Sequence, residues 1–164
     1  MLVGESFIGD GVNAAHINVV LGRRDGPVGT AWATALATPS AGHAPFVAVA
    51  QPGIPVVPPT LFVNKAAIAN PVHGNMTWGP AQAGVAQGVG QAHEESVIES
   101  GEADNLVLIV AVWVNPDADD EGAVFANNRV ATLEALRKAV QALPKTSEFV
   151  RAARAPFNPF FTPS

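Results

Sequence analysis

The run LVLIVAVWV at residues 106–114 constrains this chain more than any other segment. Its nine apolar residues are far too few to span a bilayer, which takes about 20 in a helix. Apolar throughout and rich in valine, the run reads as a buried strand. Asn115 and Pro116 end it, and DADDEG at 117–122 supplies caps and first-turn carboxylates for a helix. In that helix Val130, Leu133, Leu136, Val140 and Leu143 fall at spacings of three and four, an amphipathic face. Pro144 stops it.

The remaining segments alternate in kind. Residues 2–8 and 14–21 read as strands joined by the turn GDG at 9–11, and GTAWATALAT at 29–38 reads as a helix ended by Pro39. PFVAVA at 45–50 is extended. QPGIPVVPP at 51–59 holds four prolines in nine residues, which argues against regular structure and against a tight hairpin. A strand returns over 60–68, and a helix starts at Pro80, with Val85, Val89 and Ala92 on one face. Gly84 and Gly88 share another face of that helix. Each costs about 1 kcal/mol relative to alanine, so a close neighbour is expected there: a packed element first, a subunit or ligand second. The order β, β, α, β, β, α, β, α predicts an α/β (α+β two-layer) domain over residues 1–146, a mixed sheet with helices on one face. Residues 147–164 form a Pro/Phe-rich tail expected to dock on this domain or on a neighbouring subunit.

Composition narrows the function. Charged residues are 14% and hydrophobic residues 48%, against roughly 25% charged in an average domain. Some apolar surface should therefore be covered by identical subunits. The net charge is −5 with no basic run, which argues against nucleic acid. The absence of cysteine excludes disulfides, thiolate zinc sites and cysteine nucleophiles. MLVGESF has no signal-peptide pattern, so a cytoplasmic protein without membrane contact is expected. Neither a P-loop, a GxGxxG turn nor a Gly-x-Ser-x-Gly elbow occurs. His16, His43, His73 and His93 lack ligand spacing, and no metal is expected.

Three polar residues stand against apolar surroundings: His16 in the second strand, Lys65 at a strand end, and Gln82 early in the glycine helix. Each has a structural reading. A strand histidine can bond a carbonyl, and the other two can face water. Histidine is nonetheless the side chain best suited to proton transfer near neutral pH.

With these residues collected, the chain resembles the formaldehyde-activating enzyme family, tetrahydromethanopterin-dependent enzymes of methylotrophs and related archaea. The resemblance rests on VGE, GDG and AHI within 3–17, NK at 64–65, GPAQ with GVA at 79–86, and EADNL at 102–106 with its following strand. The resemblance implies a fold similar to domain 2 of ribosomal protein S5, a homopentamer, and a pterin cleft between subunits. It implies a hydro-lyase that condenses formaldehyde with tetrahydromethanopterin, giving the 5,10-methylene derivative and water, with the pterin as co-substrate. The family's proposed general acid maps onto His16. Lys65, Asn64 and Gln82 match pocket positions as pterin or oxygen contacts. Asn18 and Asp10 are further candidate binding residues, and Asp10 and Glu5 are candidate supports for the turn or for His16.

Two departures stand out. The family's AHID is AHIN here, with Asn18 in place of a carboxylate two residues from His16 on the same strand face, which should lower the histidine pKa. Ala83 stands where the family often has histidine. Alternatives therefore stay open: a non-catalytic formaldehyde or methylene-pterin carrier or sensor on the same fold, or condensation with another acceptor such as tetrahydrofolate.

Overall fold

The apolar run 106–114 becomes the central strand of the molecule. In the computed structural model, which describes residues 1–163, β1 (Leu2–Ile8) and β2 (Ala15–Arg23) form a hairpin followed by helix α1 (Pro27–Ala37). Then come β3 (Phe46–Val47), β4 (Val49–Gln51), β5 (Ile54–Pro55) and β6 (Thr60–Asn64). Helices α2 (Pro71–Met76) and α3 (Gln82–Glu94) lead to β7 (Leu106–Trp113), and α4 (Glu121–Val140) and α5 (Thr146–Ala152) close the chain. The main sheet has the order β1-β2-β7-β6-β3. β7 runs antiparallel to β2 and parallel to β6, so the sheet is mixed. The parallel pair needs a long crossover, which α2 and α3 provide.

Strand alternation divides the sheet into two unlike faces. Ile17, Val19 and Leu21 lie opposite Val112, Val110 and Leu108, and all six are buried in one core with α3 and α4. Burying each such side chain stabilises by roughly 1.5–3 kcal/mol. The alternate residues Glu5, His16, Asn18, Ala111 and Trp113 look the other way. Helix α1 packs on this second face at its far end, where Val28 lies over Gly22. The α+β architecture with a mixed sheet expected from the sequence is what the chain forms, with α3 and α4 on the core face; the expected placement of helices on one face does not extend to α1.

Several boundaries differ from expectation. The helix read from Pro80 begins at Pro71, capped by Asn70, whose Oδ1 accepts from His73 N at 2.8 Å. Pro80 instead sits in a π-helical stretch, Thr77–Ala81, between α2 and α3. Proline has no N–H to donate, and the wider turn absorbs the missing bond. The extended segment 45–50 splits into β3 and β4. Buried Ala48 donates to Thr60 O at 2.8 Å and accepts from Val56 N at 3.0 Å. Despite its prolines, β4 and β5 form a short hairpin, because Gly53 takes φ +83° behind Pro52. The strand read over 60–68 stops at Asn64.

The expected cap of α4 is present, with Asp120 Oδ1 accepting from Ala123 N at 2.9 Å. Its buried face includes Leu133 and Leu136 as read from the spacing, but Val140 is exposed and the small residues Ala131, Ala135 and Ala139 are buried beside them. The helix packs on β1 and β2 on one side and α3 on the other, and small residues permit close approach on both. A Cβ on Gly4 would lie 1.9 Å from Ala135 O. Gly84 and Gly88 likewise face the α4 backbone, so the close neighbour expected at those glycines is a helix of the same chain.

Candidate active site

The second face of the sheet gathers the polar residues. Glu5 is directly opposite Asn18 in the β1–β2 ladder, and Phe7 is opposite His16. From there Glu5 Oε1 reaches His16 Nε2 at 3.1 Å. Lys65, one residue past β6, extends across β7 to place Nζ 2.8 Å from Asn18 Oδ1. The β7 residue opposite Asn18 is Ala111, whose small side chain leaves that path open. Glu5, His16, Asn18 and Lys65 thus form one contiguous patch drawn from two strands and the loop after β6.

Hydrogen bonds spent away from the patch hold it in place. Asn64 is buried, its amide donating to Gly42 O and Ala66 O at 2.8 Å each, which fixes the backbone beside Lys65. The glycine turn is held by α4 and the loop before it: Asn127 Nδ2 donates to Asn13 O at 2.9 Å, and Asn13 Nδ2 donates to Asp119 Oδ1 at 2.8 Å. Gly9 there has φ +82° with the Asn127 amide against it, a position that suits glycine alone.

Charge interactions within the patch oppose one another. Burial and the nearby Lys65 charge lower the His16 pKa below its ordinary 6.5, while Glu5 pulls it upward without prevailing. Burial pushes Lys65 down to about 8, again against Glu5. The lowering of His16 runs in the direction expected from Asn18, but a carboxylate is present all the same, supplied by the neighbouring strand.

Beside His16 lies a cavity of about 830 Å³. Its walls include Phe7, Asp10, Trp113 and Asn115, and the tail residues Phe157 to Phe160 form one side. Phe160 meets Trp113 edge-on, with ring centroids 5.6 Å apart. Asp10 is at the cavity wall and Asn18 in the polar patch. Gln82 is elsewhere: it is buried, and its Oε1 accepts from Val49 N at 2.7 Å, bracing β4. The other histidines are near backbone carbonyls: His43 at Asn64 O, His73 at Val114 O and His93 at Val57 O. His16 is the one beside a carboxylate and a cavity. No three His, Cys, Asp or Glu side chains gather as a metal site among the described residues.

Sequence reading missed the aromatic walls. Phe7 was accessible to it as the residue two beyond Glu5 on the same strand face. Trp113 was hidden inside an apolar run, and Phe160 arrives from 44 residues after Pro116, with no local signal.

The formaldehyde-activating enzyme (Fae) family model matches residues 3–161. The chain belongs to the formaldehyde-activating enzyme family. A 5,6,7,8-tetrahydromethanopterin hydro-lyase of Methanosarcina barkeri is 38% identical over 159 residues, covering 97% of this chain and 89% of the relative. A bifunctional enzyme Fae/Hps of Methanothrix thermoacetophila is 41% identical over 143 residues, covering 87% of this chain and 36% of its own length. Another from Archaeoglobus fulgidus is 35% identical over 158 residues, covering 96% of this chain and 40% of the relative. The chain thus spans well under half of these bifunctional relatives. Its Fae-family match includes the tail residues beside the cavity.

Proposed function

We propose that this chain is a hydro-lyase that condenses formaldehyde with tetrahydromethanopterin, with His16 as general acid. The observation that carries the reading is the His16 imidazole, held by Glu5 at 3.1 Å on the wall of an aromatic-lined cavity in a Fae-family chain. Phe7, Trp113 and Phe160 offer flat apolar surfaces to a fused ring, and Asp10 and Asn115 offer polar contacts at its edge.

Few groups are needed for the chemistry. A pterin amine attacks formaldehyde and gives a carbinolamine. Loss of hydroxide is the difficult step, and a proton delivered to that oxygen by the imidazolium makes water the leaving group. The second amine then closes on the iminium. General acid catalysis of this kind contributes about 10²–10⁴, and holding the reactants together supplies further acceleration. Glu5 keeps part of the histidine protonated where burial and Lys65 oppose it. Asn18 and Lys65 extend the polar patch toward the substrate oxygen, with Asn64 as the brace behind Lys65. Gln82, buried and engaged with Val49 N, serves in this reading as the brace of β4 and not as a substrate contact; by resemblance, the pterin cleft lies between subunits. A homo-oligomer, pentameric by resemblance, and a cytoplasmic setting complete the proposal. No helix among the described residues is long and apolar enough to cross a membrane.

The test is methylene-tetrahydromethanopterin formation from formaldehyde at neutral pH, with the spontaneous rate subtracted. His16→Ala is expected to lose about 10²–10⁴ of the acceleration. Pterin binding without acceleration in either protein would replace the enzyme with a carrier.

A further inference from the structure

Lys65 is the reactive group that the general-acid scheme leaves without chemical work. Its amine is half-buried, and its side-chain hydrogen bond goes to a neutral amide, Asn18 Oδ1, at 2.8 Å. The nearest carboxylate on the patch, Glu5, is engaged with His16. A lysine ammonium so placed lacks a direct ion pair and has lost part of its hydration, so the free base is favoured relative to an exposed lysine. The residue at position 18 decides this: a carboxylate there would hold the ammonium, and an asparagine does not.

We infer that the Lys65 amine is a covalent acceptor for formaldehyde, and that His16 dehydrates the adduct to an iminium. This rests on formaldehyde being the substrate of the site, and it adds a nucleophile to that reading. The free-base Nζ attacks the aldehyde carbon, so a C–N bond forms as the carbonyl π pair moves to oxygen. The oxygen takes a proton and the nitrogen loses one, giving the neutral carbinolamine Lys65–NH–CH₂OH. The nitrogen lone pair then expels the hydroxyl as the imidazolium of His16 protonates it, leaving Lys65–NH⁺=CH₂, neutral imidazole and water. Against protonated lysine and formaldehyde the sum is an iminium plus one water, with no net proton, oxidant or reductant.

The geometry suits the second step. His16 and Asn18 lie two residues apart on one strand face, about 6.6 Å along β2, and Nζ is at Asn18. The carbinolamine hydroxyl projects beyond Nζ on the same face as the imidazole. The lowering of His16 by the Lys65 charge reflects that proximity. An iminium on Lys65 is one transimination from a pterin amine, so capture loads the carbon in activated form.

The chain has three lysines, Lys65, Lys138 and Lys145, which makes a direct test possible. The full chain is treated with limiting isotopically labelled formaldehyde and cyanoborohydride at pH 7 without pterin, and N-methylation is followed at each lysine by peptide mass spectrometry. Lys65 carries more free base than an ordinary lysine, its pKa lying at about 8 rather than 10.5, while its lower basicity reduces nucleophilicity. Methylation at Lys65 is expected at least about tenfold faster than at Lys138 or Lys145. His16→Ala and the better-sized His16→Gln are each expected to slow labelling at Lys65 severalfold while leaving the other two lysines unchanged. Asn18→Asp is expected to restore an ion pair and remove the preference.

Uniform labelling, or labelling led by Lys138 or Lys145, would overturn the inference, as would a Lys65 preference indifferent to both His16 variants. The condensation assay on the same wild-type protein separates the two claims. Accelerated condensation with uniform labelling removes the covalent step and leaves the hydro-lyase. Selective Lys65 labelling without condensation leaves covalent formaldehyde capture and removes the hydro-lyase.

Discussion

Glu5 acts on both titrating groups of the patch, raising His16 and Lys65 while burial lowers them. Glu5→Gln should therefore let both fall further. In the condensation, less imidazolium would be present at neutral pH, and the acidic optimum should move lower; an unchanged pH–rate profile and imidazole NMR titration would separate Glu5 from the proton donor. Lys65 also links to stability. With a folded pKa of about 8 and an ordinary value of 10.5, the unfolded chain binds more protons between those limits. Stability should then rise with pH across that window. Lys65→Met should flatten the rise in urea midpoints measured from pH 8 to 10.5. Of these residues, sequence alone singled out His16 and Lys65 as polar groups in apolar strands. It did not show which carboxylate holds the histidine, because Glu5 and His16 meet across a ladder whose register only pairing fixes.

At the scale of elements, contact between α3 and α4 depends on backbones that nearly touch. A Cβ on Gly88 would lie 2.7 Å from Arg129 O, and one on Gly84 would lie 2.5 Å from Phe125 O. Gly88→Ala should separate the helices at a cost of about 1–3 kcal/mol. Gly90, two residues on, meets nothing within 4 Å among the described residues. Gly90→Ala should stabilise α3 by about 0.5–1 kcal/mol. Urea unfolding of the two variants should give shifts of opposite sign; a Gly88→Ala variant as stable as the parent would remove the backbone contact between α3 and α4. The sequence required some close neighbour at Gly84 and Gly88 but carried no information on its identity. The boundary at Pro80 misled for a physical reason: a proline that suits a first turn also suits a π-helical widening.

For the molecule as a whole, apolar surface is left on the single chain. Val72, Trp78, Phe149 and Phe161 are each more than half exposed, consistent with the sparse charge of the composition. Light scattering should show a species several times the 16.9 kDa chain; a clean monomer would remove the inter-subunit cleft. Deleting the chain after Leu143 also deletes Phe157 to Phe160 from the cavity wall. That deletion should raise KM for the pterin through lost aromatic contact, and loosen the oligomer if the tail reaches a neighbour. An unchanged KM would leave the tail outside the substrate site.

What the sequence determined by itself was local and periodic: the central strand at 106–114, the capped helix after it, the hairpin over the glycine turn, and two lone polar residues in apolar strands. Those signals are carried by side-chain spacing, which is written along the chain. Only the tertiary structure decided that Glu5 faces His16, that Lys65 crosses β7 to Asn18, that Gln82 braces β4, and that tail phenylalanines stand beside the histidine. Each of those contacts joins residues on different elements, with the path between them set by strand order and register. Neither is encoded in the spacing of the residues that meet.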